Sequence, residues 1–275
     1  MGVVPVRGID RPCFWKSFEV KMGNLRPSVC IDAVLENLSD TQAIEAVKQV
    51  GIGAFEFWGW WDRDLTNLVQ AKDAAGLEVS ACCTHFVSLT DANRRSKYLE
   101  GLQQSIEAAS RIGCKTIISQ VGDALVGRSR ASQHASLVDG LRAAAPLLEE
   151  ANVTLVIEPL NLLVNHPGYY LVESAEAFEI VEAVGSPSVK VVFDIYHQQV
   201  SEGNVIHNLV TNIDKIGHFH AAGNPGRNEL TRGELNYRQI FQAIQETAYD
   251  GYVGLEYWPI EDPLEGLREI GAWFI

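Results

Sequence analysis

Four side chains able to hold a cation or carry a proton close four apolar runs in the second half of the chain. Val153 to Ile157 leads into Glu158, and Pro159 then forbids further regular pairing, which puts Glu158 at the carboxyl end of a buried strand. Val191-Val192-Phe193 leads into Asp194, Ile216 to Phe219 into His220, and Tyr252 to Leu255 into Glu256. A single acid in such a place is an ordinary strand-end charge turned to water. Its recurrence at the same end of successive strands makes a proton-transfer or cation-binding set.

The elements that must position these residues alternate without lapse. Ser28 to Ile31, Ala54 to Trp58, Leu77 to Phe86, Lys115 to Val121, Val153 to Glu158, Val189 to Asp194, Gly217 to Ala221 and Tyr252 to Tyr257 are strand-like. Between and after them, helical spacing covers Thr41 to Val50, Asp64 to Ala75, Arg94 to Ile112, Ala131 to Ala151, Glu173 to Val184, most of Asn204 to Ile216, Asn236 to Tyr249 and Pro263 to Phe274. Gly51, Gly76, Gly113 and Gly185 stop helices where a left-handed cap is least strained. Eight strand-then-helix units with no Gly-rich dinucleotide turn predict an α/β fold, a single-domain (β/α)8 TIM barrel over residues 27–275. Residues 1–26, broken by Pro5, Gly8, Pro12 and Gly23, are expected to be an N-terminal extension. In a barrel, Glu158, Asp194, His220 and Glu256 converge on one bowl. Three carboxylates so close repel unless a proton is retained or a cation sits between them. The donor set suits Mn²⁺, with Mg²⁺ or Co²⁺ as alternatives, over a thiolate zinc site.

Composition narrows the partners. The 275 residues are 47% hydrophobic, enough for a large core. The formal charge of −13 and pI near 5.0 speak against nucleic acid and anionic membrane surfaces. Five cysteines (Cys13, Cys30, Cys82, Cys83 and Cys114) without a CxxC spacing read as reduced thiols of a cytoplasmic protein. No apolar run approaches the length of a membrane-spanning helix, and no secretory signal is evident. Phe14, Trp15 and Phe18, with Trp273-Phe274-Ile275, suggest a homo-oligomer, dimer or tetramer; alternatively the terminal residues close the barrel's bottom.

The blocks Ile157-Glu158-Pro159-Leu160-Asn161, Asp194-Ile195-Tyr196-His197-Gln198, Gly217-His218-Phe219-His220 with Asn224-Pro225 and Arg227, Gly233 to Tyr237, and Gly254-Leu255-Glu256-Tyr257 resemble the hydroxypyruvate isomerase-like and ketose 3-epimerase branch of the xylose-isomerase-like TIM barrels. The resemblance runs in order from about residue 28 to 258. It implies one divalent metal held by Glu158, Asp194, His220 and Glu256, with the two glutamates on opposite sides of the substrate as proton-transfer groups. It also implies that His197 and Arg227 bind substrate oxygens. One departure bears on substrate: hydroxypyruvate isomerases carry Gln where this chain has His220, whereas ketose 3-epimerases carry His. Such a site acidifies the C–H beside a carbonyl and stabilises an enediolate. Return of the proton to the neighbouring carbon gives an isomer, and protonation from the opposite face gives an epimer. The expected partner is a small ketose or hydroxy-keto acid.

Further candidates are Glu56 and Trp58, which could bind a sugar hydroxyl and cover its apolar face, Trp58 to Trp61 being otherwise packing. His85 is expected to line the pocket or to be a satisfied buried histidine, His166 to be an exposed loop residue rather than part of a lid, and His218 to fill the barrel rather than to support the metal by a hydrogen bond from beneath. Gln120 could add a hydrogen bond, and Arg227 could hold a substrate carboxylate, a hydroxyl or only solvent. Rival readings are a metal-dependent dehydratase, a non-catalytic sugar-binding protein, and an apurinic-site endonuclease, the last opposed by charge and histidine count.

Overall fold

The computed structural model describes residues 23–274. Eight parallel strands close a barrel in chain order: β1 (Arg26–Cys30), β2 (Ala54–Phe57), β3 (Glu78–Cys83), β4 (Thr116–Ser119), β5 (Thr154–Ile157), β6 (Val189–Asp194), β7 (Ile216–Ala221) and β8 (Tyr252–Leu255), with β1 paired to β8. The helices are α1 (Ile31–Val34), α2 (Asp40–Gln49), α3 (Leu65–Ala75), α4 (Arg95–Ile112), α5 (Arg130–Ala151), α6 (Ser174–Val184), α7 (Ile195–Ser201), α8 (Val205–Thr211), α9 (Tyr237–Gln245) and α10 (Pro263–Gly271). Right-handed crossovers lay them around the sheet, so the strands are buried on both faces and read as apolar runs.

Gly76, Gly113 and Gly185 occupy left-handed C-caps, as their spacing predicts. The chain between β6 and β7 departs from the expected single helix. The Asp194 carboxylate accepts the His197 N–H at 3.0 Å and caps α7 on the last residue of the strand. Asn204 then turns into the left-handed region, at φ 50°, and α8 follows.

Gly23 N–H already bonds the Gln245 carbonyl and Leu25 is buried, so the barrel's first contacts precede β1. The expected extension, including Cys13, Phe14, Trp15 and Phe18, otherwise lies outside the described residues. Trp273 and Phe274 pack on Phe241, with ring centroids 6.3 and 5.0 Å away. Cys30, Cys82, Cys83 and Cys114 are buried and form no disulfide among the described residues. Among the described residues no helix is long and apolar enough to cross a membrane.

Candidate active site

Parallel register brings the strand ends level. Asp194 pairs with His220 and His220 with Gly254, which places Glu256 two residues beyond, on the same side of β8. One ligand atom each from Glu158, Asp194, His220 and Glu256 lies within 4.8 Å of the others, and all four side chains are buried. His220 is the hinge of the group. Its Nδ1 is 3.0 Å from Glu158 Oε1 and 3.5 Å from Glu256 Oε2.

The far nitrogen of His220 reaches Glu56, and here the structure corrects an expectation. Glu56 does not face the pocket. It sits inside the barrel, 2% exposed, with Oε1 3.0 Å from His220 Nε2, though off the line of a hydrogen bond. Its Oε2 lies 2.9 Å from His218 Nε2 and accepts from Ser80 Oγ at 2.9 Å. The cause is strand parity. Glu56 pairs with Cys30 and points inward, where the two histidines of β7 meet it from across the barrel. Gly254 makes the space, because a Cβ there would lie 2.1 Å from Glu56 Oε1. His218 thus lies one layer below His220 and shares Glu56 with it.

His85 is also drawn elsewhere. Its ring packs against Trp60 and Trp61, 4.9 and 4.5 Å away, and it does not line the cavity. Trp58 does line it, and its indole N–H donates to Glu256 Oε1 at 2.7 Å. Asp32 anchors the Trp58 backbone N–H at 2.7 Å. Arg227 stands between the rings of Trp258 and Tyr196, 4.9 and 5.5 Å from their centroids, and its Nη2 donates to Glu256 Oε2 at 2.5 Å. Its backbone is held in the left-handed region at φ 57°, a conformation that costs a non-glycine residue about 1–3 kcal/mol. The Trp258 N–H bond to the Arg227 carbonyl, 2.9 Å, helps hold it there.

The cavity has a volume of about 230 Å³. Glu158, His220, Arg227, Glu256, Trp58, Gln120 and His166 share its lining with Trp258, Phe86, Cys83, Ile118 and Leu160. His166, expected to be an exposed loop residue, is half-buried here beside His197, with ring centroids 5.3 Å apart, whereas His197, expected to bind substrate oxygens, is fully buried just behind the lining. Sequence reasoning passed over Trp258, although its parity with Glu256 was a usable signal. Nothing local marks Cys83, Ile118 or Leu160, which read only as core. A larger depression of about 500 Å³ at the other end of the barrel, near Arg26 and Glu78, gathers no such donor set.

Burial raises the affinity of Glu158 for its proton, since His220 only partly compensates. Burial opposes ionisation of Glu256 too, but Arg227, His220 and the Trp58 indole outweigh it and hold that carboxyl below the usual range. Burial likewise lifts Asp194 against the pull of Arg227 and His220. His220 is driven well above an ordinary imidazole by Glu256 and Glu56, which overcome the cost of its burial. His197 is pushed the other way by burial and by Arg227. Counting Glu56, four buried carboxyls face one guanidinium and the imidazoles of His218 and His220, so the charge balance suits a hard divalent cation.

A closed barrel with a buried carboxylate and imidazole cluster at the carboxyl ends of its strands defines a TIM-barrel enzyme. The family profile described as "Xylose isomerase-like TIM barrel" matches residues 44–274, and the chain belongs to that family. It is similar to hydroxypyruvate isomerase of Escherichia coli K12, 35% identical over 207 residues that cover 75% of this chain and 77% of that protein. It is also similar to 2-oxo-tetronate isomerase of Cupriavidus necator, 35% identical over 174 residues, 63% of this chain and 66% of the other. The solved structure described as AP endonuclease, family 2, from Brucella melitensis superposes with a TM-score of 0.85 at 25% identity, covering 91% of this chain and 98% of that one. The chain stands with the isomerases of this family.

Proposed function

We propose that this chain interconverts a small α-hydroxy carbonyl compound, a hydroxy-keto acid such as hydroxypyruvate or a short ketose, through an enediolate. Glu158 and Glu256 serve as the proton-transfer pair. Glu158, Asp194, His220 and Glu256 hold one divalent cation, Mn²⁺ or else Mg²⁺ or Co²⁺. The observation that carries this reading is a pair of buried glutamates, both facing Nδ1 of His220, whose surroundings push their proton affinities apart.

When bound, the cation polarises the substrate carbonyl and lowers the barrier to removing the neighbouring proton. The residues supply the rest. Glu256, which accepts hydrogen bonds from Arg227 and the Trp58 indole, would take the proton from carbon and return it to the adjacent carbon, giving an isomer, or Glu158 would deliver a proton to the opposite face, giving an epimer. Glu158, Asp194, His220 and Glu256 would hold the cation with His220 as a neutral imidazole and the acids ionised, so its binding would release protons. Arg227 commits Nη2 to Glu256 and keeps a buried Nε, without a partner among the described residues, for a substrate carboxylate or hydroxyl. The cavity, smaller than the roughly 300–1,000 Å³ common for ligand sites, favours a short carbon chain. Trp58, Trp258 and Phe86 help exclude water from it.

The test is proton–deuterium exchange followed by NMR in D₂O with added Mn²⁺, over hydroxypyruvate and a panel of ketoses, with Glu158→Gln and Glu256→Gln as controls. Exchange into hydroxypyruvate with formation of its aldehyde isomer supports the keto-acid reading. Exchange confined to ketoses, with C3 epimers as products, moves the assignment to epimerisation, which His220 favours by the resemblance noted above. No exchange in any substrate overturns the enediolate reading.

A further inference from the structure

Asn161 ends the Glu158-Pro159-Leu160-Asn161 block, is fully buried and has every side-chain polar atom engaged. Its Oδ1 accepts the N–H groups of Val164 at 2.9 Å and Asn165 at 3.2 Å, shaping the loop that carries His166 to the cavity. Its Nδ2 donates to Asn165 Oδ1 at 3.0 Å and lies 2.7 Å from Nδ1 of His197. The Asn161 backbone N–H donates to that same Nδ1 at 3.1 Å. A backbone N–H can only donate, so Nδ1 of His197 must accept and carries no proton. The ring proton therefore sits on Nε2. That nitrogen is buried, has no hydrogen-bond partner among the described residues, and lies 3.7 Å from Asp194 Oδ2, too far for a bond.

We propose that Asn161 is a positioning residue that holds His197 in its Nε2–H form, so that the ring offers one fixed donor to a substrate oxygen beside Asp194. The role of that donor rests on the enediolate reading; the tautomer rests on the hydrogen bonds alone. A donor at this place stabilises an oxygen that gains negative charge. The opposite tautomer would aim a lone pair at the Asp194 carboxylate and at that oxygen together, which is repulsive on both counts.

Two substitutions separate this role from simple stapling of the loop. Asn161→Asp keeps an Oδ acceptor for the Val164 and Asn165 N–H groups and the backbone donor to Nδ1, but sets a carboxylate oxygen where Nδ2 faced His197 and Asn165, so that it opposes the lone pair of Nδ1 and displaces the ring. Asn161→Ala loses the loop bonds yet keeps the backbone donor to Nδ1. Positioning predicts that N161D lowers kcat/KM roughly tenfold to a hundredfold and harms activity more than N161A does. A staple predicts the reverse order, and that order would overturn the proposal.

The ring itself is read in ¹⁵N-labelled full-length protein by long-range ¹H–¹⁵N correlation, with His197 identified by the signals lost in His197→Gln. The expected spectrum has a protonated Nε2 and a bare Nδ1 in wild type and in N161A, where the backbone donor remains. A protonated Nδ1 in the wild type or in N161A refutes the assignment. Because the wild-type spectrum needs neither substrate nor a folded N161D, failure of the enediolate reading and failure of the tautomer assignment are distinguishable.

Discussion

Gly254→Ala tests the buried layer beneath the site. An added Cβ would stand 2.1 Å from Glu56 Oε1 and 2.6 Å from its Cδ, where ordinary contact begins at 3.4 Å. Glu56 must retreat by more than an ångström, yet it is fixed by His218, His220 and Ser80 at 2.9 to 3.0 Å. Overpacking alone costs about 1–3 kcal/mol. Parting a buried carboxylate from its hydrogen-bond partners and from His220 brings the loss to about 3–5 kcal/mol, or a melting temperature lower by roughly 6–20 °C in a domain of this size. Gly53→Ala is the control, since a Cβ there meets nothing within 4 Å. Shortening the carboxylate with Glu56→Asp in the Gly254→Ala background should recover part of the loss, which a double-mutant cycle by urea and thermal unfolding measures. A Gly254→Ala protein within about 0.5 kcal/mol of wild type, with no coupling to position 56, would refute the argument that Glu56 is clamped between the histidines.

Three other outcomes are expected. Adding Mn²⁺ at about one hundred times its dissociation constant should stabilise the chain by about 2.7 kcal/mol, and Asp194→Asn should abolish most of that shift in a thermal melt. Trp58→Phe removes a hydrogen bond that favours the ionised form of Glu256, so the acid limb of the kcat/KM profile should move to higher pH; an unmoved limb removes Trp58 from that role. At alkaline pH, burial holds the Cys30 and Cys83 thiols well above the usual range, and Cys82 is raised by the Cys114 thiol beside it and by burial. Their folded-state values are raised, so their stabilisation is complete below about pH 8.5 and is lost above it, at about 1.4 kcal/mol per pH unit for each thiol ionised in the unfolded chain. A melting temperature that stays flat from pH 8 to 10.5 would contradict this.

Alternation of apolar runs and helical spacing made the barrel legible, because a parallel sheet buried on both faces must be written as continuous apolar strands and glycine marks where helices stop. The same logic put Glu158, Asp194, His220 and Glu256 at one end of the strands, and the structure brings them together there. What lies next to each of them depends on distance across the barrel, which no run of neighbouring residues encodes. Glu56 was readable as a strand-end acid, but register and parity decide that it serves His218 and His220 rather than the cavity. His166 and Trp258 line that cavity, and His85 is withdrawn among tryptophans, through loop paths fixed by contacts between distant segments. The split between the two glutamates arises in the same way. Arg227 and Trp58 reach Glu256 from other strands' loops, while Glu158 is left with burial and His220, and electrostatic environment is a property of three-dimensional neighbours.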